Sequence, residues 1–371
     1  MRIHLNHNVW DAALERIRWL FDEFPNVVVN VSGGKDSTVV YHLCMIVAKE
    51  KNRLPLNVLF LDQEAEWQGT INIIREMMTN PDVKPYWYQI PFQIQNALSQ
   101  EDEWLYCWDV DKQDEWMRPK EDYSIHENVY GTERFKDLFG AILKTDFAGL
   151  KTVNVCGVRA QESPTRLAGL TNGNTYKGRT WGKVRDKKQE HFDMYPIYDW
   201  GYVDVWKSIL DNAWSYNHIY DAQYQHGLPV NKMRVSNLNH ETSIESLFYM
   251  QEAEPETWAT LTARLKGVDA FTKLGRGFYA KELPFMFGSW KEYRDYLLEK
   301  LILNPDWKAA FTKHFEFQEP IFGKLGDKMY KAQVQSIVTN DWEMTKLKGW
   351  EQSGKALIEY RAHRRRKNEL V

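Results

Sequence analysis

The sequence predicts a doubly wound α/β domain on a mostly parallel sheet, followed by a mainly helical C-terminal region. Two observations carry this. Short apolar, β-branched runs at 27–31, 56–61 and 152–156 read as buried strands. Segments of helical period separate them, and that alternation is the signature of a parallel sheet with helices on both faces.

The elements follow in order. Residues 9–24 place Val9, Ala13, Ile17, Leu20 and Phe24 on one helical face, and Pro25 ends the helix. The run 27–31 is the first strand. Val39, Leu43, Ile46 and Val47 mark a helix from Thr38 to Lys49. The second strand is 56–61, a helix spans 68–79, and a third strand lies within 83–92. Residues 93–129 interrupt the alternation. Between 101 and 122 stand nine acidic and three basic residues with Trp104, Trp108 and Trp116. This reads as an insertion packed onto the body by its tryptophans. A helix within 130–147 precedes the strand 152–156. Residues 172–188 hold six basic residues and one acidic one, and suggest an exposed loop or hairpin. Trp206, Ile209, Leu210 and Ala213 mark a helix after Gly201. Beyond about 235, the segments 242–252, 256–266 and 289–302 read as helices, with turns around Gly267, Gly275, Gly277 and Pro284. The expected division is 1–230 for the α/β domain and 231–371 for the helical one, which ends in a basic tail.

The composition bounds the function. The chain has 371 residues, a formal net charge of −3 and 14% aromatic residues, so it can bury a large core and is no wholesale polycation. Three cysteines, Cys44, Cys107 and Cys156, form no disulfide framework and cannot supply a four-cysteine iron–sulfur cluster. With no apolar leader at the start, the expected location is the cytoplasm. No apolar stretch is long enough to span a membrane.

The segment 27–40 carries the chemistry. A buried strand runs into Ser32, Gly33, Gly34, Lys35, Asp36 and Ser37, and a helix begins directly after it. Adjacent glycines let the backbone turn tightly and approach a ligand. The helix start offers free N–H groups and the positive end of its dipole. Ser32, Ser37 and Lys35 add donors and charge. The alternative is a glycine turn without a ligand. Later, Arg159 and Arg166 flank Ser163-Pro164, which reads as an N-cap followed by Pro at the first helical position. Both arginines could fork onto phosphate or sulfate oxygens, or make surface salt bridges. Asp62, at a strand end, could orient a ribose or Mg²⁺, or cap the next helix. Asp36 could likewise hold Mg²⁺ or cap its own helix.

The hexapeptide 32–37 matches the SGGxDS signature of the PP-loop ATP pyrophosphatases, the adenine nucleotide alpha hydrolase superfamily. Further motifs resemble its phosphoadenosine phosphosulfate (PAPS) reductase-like branch. Phe60-Leu61-Asp62 stands where that family has Leu-Asp-Thr-Gly, with Asp62 kept and Thr-Gly absent. The segment 157–166 resembles its G-x-R-x-x-x-S-x-x-R element. Segments 195–200 and 204–206 resemble its Pro-x-x-x-Trp and Asp-Val-Trp elements. The resemblance covers about 25–230 and implies binding of ATP or a related adenine nucleotide at 32–37, Asp62 and Ser163, with Lys35, Arg159 and Arg166 as catalytic cations. It implies attack on the α-phosphate, release of pyrophosphate and adenylylation of an acceptor. PAPS reduction needs a C-terminal Glu-Cys-Gly, and no cysteine follows Cys156. A reductase or sulfurtransferase would therefore need an unusual thiol. Residues 231–250 resemble the start of the helical domain of Ibr-type bacterial and prophage regulators. That subgroup implies a ParB-like partner and a nucleotide-dependent regulatory role. The basic stretches 172–188 and 361–367 would contact nucleic acid, or are solvated faces.

Overall fold

The computed structural model describes residues 6–99, 102, 104–171, 174–240, 243–265, 268, 282–339 and 341–368. The turns expected at Gly267, Gly275 and Gly277 lie outside these. The chain divides into two compact units. The first comprises 1–94, 106–238 and 249–257; the second comprises 95–105, 239–248 and 258–371.

In the first unit, helix α1 (Val9–Glu23) leads to β1 (Asn26–Asn30), α2 (Lys35–Glu50), β2 (Leu56–Leu61), α3 (Gln68–Met78) and β3 (Val83–Tyr88). After the excursion come α4 (Phe135–Asp146), β4 (Thr152–Val155) and α5 (Pro164–Thr171). Then follow β5 (Thr175–Tyr176), β6 (Arg179–Asp186), β7 (His191–Met194), α6 (Tyr202–Asp211) and α7 (Ile219–Gln225).

The sheet runs β3-β2-β1-β4-β7-β6-β5. Its first five strands are parallel, β6 runs antiparallel to β7, and β5 antiparallel to β6. Val27, Val28 and Val29 are buried because β1 has β2 on one side, β4 on the other and helices over its faces. The chain steps from β1 outward through β2 and β3, then returns to add β4 on the opposite side. Between β1 and β4 the winding reverses, which is where open α/β sheets form ligand crevices. Both margins of the sheet are blunt: β5 is two residues long, and β3 carries Pro85.

The basic stretch 172–188 is the β5–β6 hairpin. Most of its cations are held within the fold. Lys177 pairs with Glu23 at 2.7 Å, and Arg179 lies 3.9 Å above the Trp19 ring. Lys183 donates to the Leu170 carbonyl, and Arg185 pairs with Asp193 at 2.9 Å. In α6 the core-facing residues are Val205, Ser208 and Ile209, whereas Leu210 is 79% exposed. Two positions of the expected stripe fall off it: Leu210 sits about 100° around the helix from Ile209, and Ala213 lies past the helix end at Asp211, exposed and with φ +49°.

The second unit has an aromatic core of Trp290, Tyr293, Trp307, Phe311 and Phe315 with Val334 and Ile337. Its helices include Trp290–Lys300, Pro305–Phe322, Asp327–Val338 and Gly354–Asn368. A buried polar chain links the first three of these to Glu351, at the end of the helix Thr345–Glu351. Arg294 donates to Gln333 (2.7 Å), Gln333 to Gln318 (2.8 Å), and Gln318 to Glu351 (2.7 Å). Each link of this chain thus has a partner, which avoids the desolvation cost of leaving it unmet. No helix among the described residues is long and apolar enough to cross a membrane.

Candidate functional site

A cavity of about 490 Å³ opens at the carboxyl ends of β1 and β4, within the size range of small-molecule sites. Ser32, Gly34, Lys35, Asp36 and Ser37 line one side, and the loop carrying Arg159, Ser163 and Arg166 lines another. The structure therefore brings both sequence motifs to one place. Gly33 and Asp62 are not in the lining.

Gly33 has φ +67°, which glycine adopts without strain. A side chain there would meet Thr70 Cγ2 at 2.7 Å, so this glycine seats the turn on α3 while its neighbour faces the cavity. Asn217 donates to the Gly33 carbonyl at 3.3 Å and to Thr70 Oγ1 at 3.0 Å, fixing the same junction. Ser37 Oγ donates to the Gly34 carbonyl (2.9 Å) and accepts from the Ser32 amide (3.1 Å), which closes the turn. Gly34 is the N-cap of α2 and brings no side-chain cap, so the helix keeps uncapped N–H groups at the cavity wall. The Lys35 amide is the exception and donates to Tyr220 Oη at 3.1 Å.

The cations are arranged around Asp36. Arg159 Nε donates to Asp36 Oδ1, and Lys35 Nζ lies 3.2 Å from Asp36 Oδ2. Lys35 Nζ also donates to the Met233 carbonyl at 3.2 Å and sits over the Tyr220 ring. Arg159 and Lys35 are buried, at 4% and 6% exposure, so these are oriented charges rather than surface ones. Arg166 is exposed and lies 3.7 Å from Glu162. Ser163 Oγ accepts from the Arg166 amide at 3.1 Å and so caps α5. Tyr220 has its phenol raised by burial, with the charge of Asp36 adding to this.

The neighbouring strand end is different. Asp62 is fully buried. Its carboxylate accepts from Trp87 Nε1 (2.8 Å), Gln89 Nε2 (3.1 Å) and the Glu64 amide (2.9 Å), and Arg118 bonds both oxygens (2.5 and 2.6 Å). Trp108 closes over it, donating to the Asp62 carbonyl at 2.9 Å. Asp62 therefore does not reach the cavity, and the insertion supplies the side chains that enclose it. Cys107, also in the insertion, is buried and donates to the Gln63 carbonyl at 3.2 Å. Nearby, Glu66 is raised to about 8 by burial, with Asp62 adding repulsion.

A Mg²⁺ ion held by protein carboxylates does not fit these residues. Asp62 is enclosed with Arg118, Asp36 is shared by Arg159 and Lys35, and Glu162 is beside Arg166. Among the described residues no three His, Cys, Asp or Glu side chains gather as metal ligands.

Sequence reasoning missed three contributions. Gly157 packs its α-carbon against the start of α2. A Cβ there would lie 2.7 Å from the Ser37 nitrogen and 2.7 Å from the Asp36 carbonyl carbon. Its signal was the glycine opening the second motif. Cys156, directly after β4, is only partly buried and lines the cavity. Burial pushes its thiol up to about 12, and the charge of Asp193 adds to this. The segment 231–236 also lines the cavity, although it lies beyond the residue at which the domains were expected to divide.

Known proteins share these features. The model of the phosphoadenosine phosphosulfate reductase domain matches residues 26–227, and a domain of unknown function (DUF3440) matches 227–362. The chain is 30% identical over 325 residues to "Uncharacterized protein YbdN" of Escherichia coli (strain K12), covering 81% of this chain and 77% of that one. It is 23% identical over 218 residues to the adenosine 5'-phosphosulfate reductase of Lysinibacillus sphaericus (strain C3-41), covering 58% of this chain and 77% of that one. Among solved structures, the PAPS reductase of Candida auris in a phosphate complex matches with a TM-score of 0.35 and 17% identity, covering 60% of this chain and 94% of that one. The FMN adenylyltransferase of Candida glabrata, with FMN and an ATP analogue, matches with a TM-score of 0.38 and 13% identity. That match covers 64% of this chain and 66% of that one, just under two thirds. With the family model spanning more than half its length and the diglycine turn facing the Arg159 loop, the chain belongs to the phosphoadenosine phosphosulfate reductase domain family.

Proposed function

We propose that the cavity binds ATP or a related adenine nucleotide and that the chain transfers the adenylyl group to an acceptor. The observation that carries this is the convergence of the uncapped α2 start, the Ser32–Ser37 turn and the buried Lys35 and Arg159 at the sheet's switch point. In the step proposed, an acceptor nucleophile bonds to the α-phosphorus. The bond from that phosphorus to the bridging oxygen breaks, and pyrophosphate leaves with the electron pair. Such a transition state spreads charge over phosphate oxygens, and fixed N–H groups and cations stabilise it without reorganising. ATP labelled at the α or γ position tests this. Wild type should yield labelled AMP or AMP-acceptor together with pyrophosphate, and Lys35→Ala should lose most of it. ADP plus phosphate would overturn the reading.

The other readings have weaker support. A thiol-based reductase or sulfurtransferase would have Cys156 at the cavity, but a thiol raised to about 12 is almost wholly protonated at neutral pH. A nucleic-acid or ParB-like partner would rely on the exposed Lys187, Lys188, Arg361, Arg364, Arg365 and Arg366, since Lys177, Arg179, Lys183 and Arg185 are engaged within the fold.

A further inference from the structure

We infer that Lys232 and Arg234 form a second phosphate grip in this cavity, alongside the diglycine turn. The inference rests on the proposed nucleotide reading and assigns the wall that reading lacked. The segment that carries them is fixed by its backbone. Met233 is 4% exposed, and its carbonyl accepts from Lys35 Nζ. The Arg234 carbonyl accepts from Gln223 Nε2 at 2.6 Å. Met233 is extended, with φ −65° and ψ 129°. Lys232 ends the short turn Val230–Lys232 and Arg234 follows the buried Met233; both are exposed, and both line the cavity.

Their charge is uncommitted. Lys35, Arg159 and Arg166 each lie beside a carboxylate, Asp36 or Glu162. Neither Lys232 nor Arg234 has an ion-pair partner among the described residues. The cavity lining holds five cations, Lys35, Arg159, Arg166, Lys232 and Arg234, against two carboxylates, Asp36 and Glu162. The excess positive charge matches an anion of more than one phosphate. Arginine grips phosphate with a planar fork and lysine as a point charge. The wall thus selects for the length of the phosphate chain and is indifferent to the base.

The test compares full-length wild type with Lys232→Ala/Arg234→Ala, using ATP, AMP and inorganic tripolyphosphate as probes in equilibrium titrations. The double variant should lose about tenfold or more in ATP and tripolyphosphate affinity, lose less than about twofold for AMP, and show a shallower salt dependence. Arg234→Lys, which keeps the charge, should retain most of the affinity. If ATP binds wild type and the double variant equally, the grip is wrong and the nucleotide reading survives. If AMP affinity falls as far as ATP affinity, the loss is structural and the grip is overturned. If tripolyphosphate binds in a Lys232- and Arg234-dependent manner while ATP does not bind, the grip stands and the adenine reading falls. If wild type binds neither, both fall.

Discussion

Two adjacent strands of the sheet, β1 and β2, end within a few residues of one another in very different surroundings. At the end of β1, the turn 32–37 borders a cavity and holds its cations ready. At the end of β2, Asp62 is fully buried beneath Trp108 and locked to Arg118. Both ends present a carboxylate and an arginine. What separates them is topology. β1 borders the reversal of winding, where no crossover covers the edge, whereas β2 lies one strand away, where the 106–120 segment packs down. A polar residue at a strand end is therefore not a site by virtue of its position alone.

The sharpest way to break this contrast is Arg118→Ala. It leaves Asp62 buried without its counter-ion, a loss of about 3–5 kcal/mol in chemical denaturation. Nucleotide affinity per folded molecule should stay within about twofold. A tenfold drop would mean that the two strand ends are one site. Gly157→Ala should do the reverse. Its new methyl group would strike the Asp36 and Ser37 backbone, which costs about 3 kcal/mol and at least tenfold in nucleotide affinity. Unchanged affinity would show that the apposition of the two loops is not needed.

Glu66 sharpens the comparison through pH. A carboxyl raised from 4.5 to about 8 keeps its proton longer in the folded than in the unfolded chain. Its contribution to stability is intact below about pH 4.5 and is lost as pH rises to about 8. Relative to wild type, Glu66→Gln should gain about 3 kcal/mol between pH 5 and 8, read from denaturation curves at each pH. A constant difference would mean that Glu66 is ionised throughout. The smallest expected effect is Tyr220→Phe. It removes the acceptor of the buried Lys35 amide and should lower stability by about 1 kcal/mol.

The local part of this picture was legible in the sequence. The strand at 56–61 and the helix starting at Gln68 follow from apolar period alone, and the diglycine turn announces itself by residue type. The long-range part was not. Nothing in 116–120 says that Arg118 will meet Asp62, because that pair depends on how the insertion folds back. Nor does period reveal that β4 joins β1, or that Met233 will bring its neighbours to the cavity. The basic run 177–188 forms the expected hairpin, but period does not reveal that Lys177, Arg179 and Arg185 meet Glu23, Trp19 and Asp193, all distant in sequence or on another strand.

The blunt ends of the sheet have a consequence for the molecule in a crowded cell. A long, flat, unpaired strand invites other chains to add to it and so seeds fibres. Here one border offers only Thr175 and Tyr176, and the other has a proline that lacks an N–H to donate. The upper part of that second border is also covered, since Ile125 exchanges backbone bonds with Trp87 and Gln89. Polymerisation by strand addition is thereby discouraged at both sides, and the protein can concentrate without its sheet growing beyond its own chain.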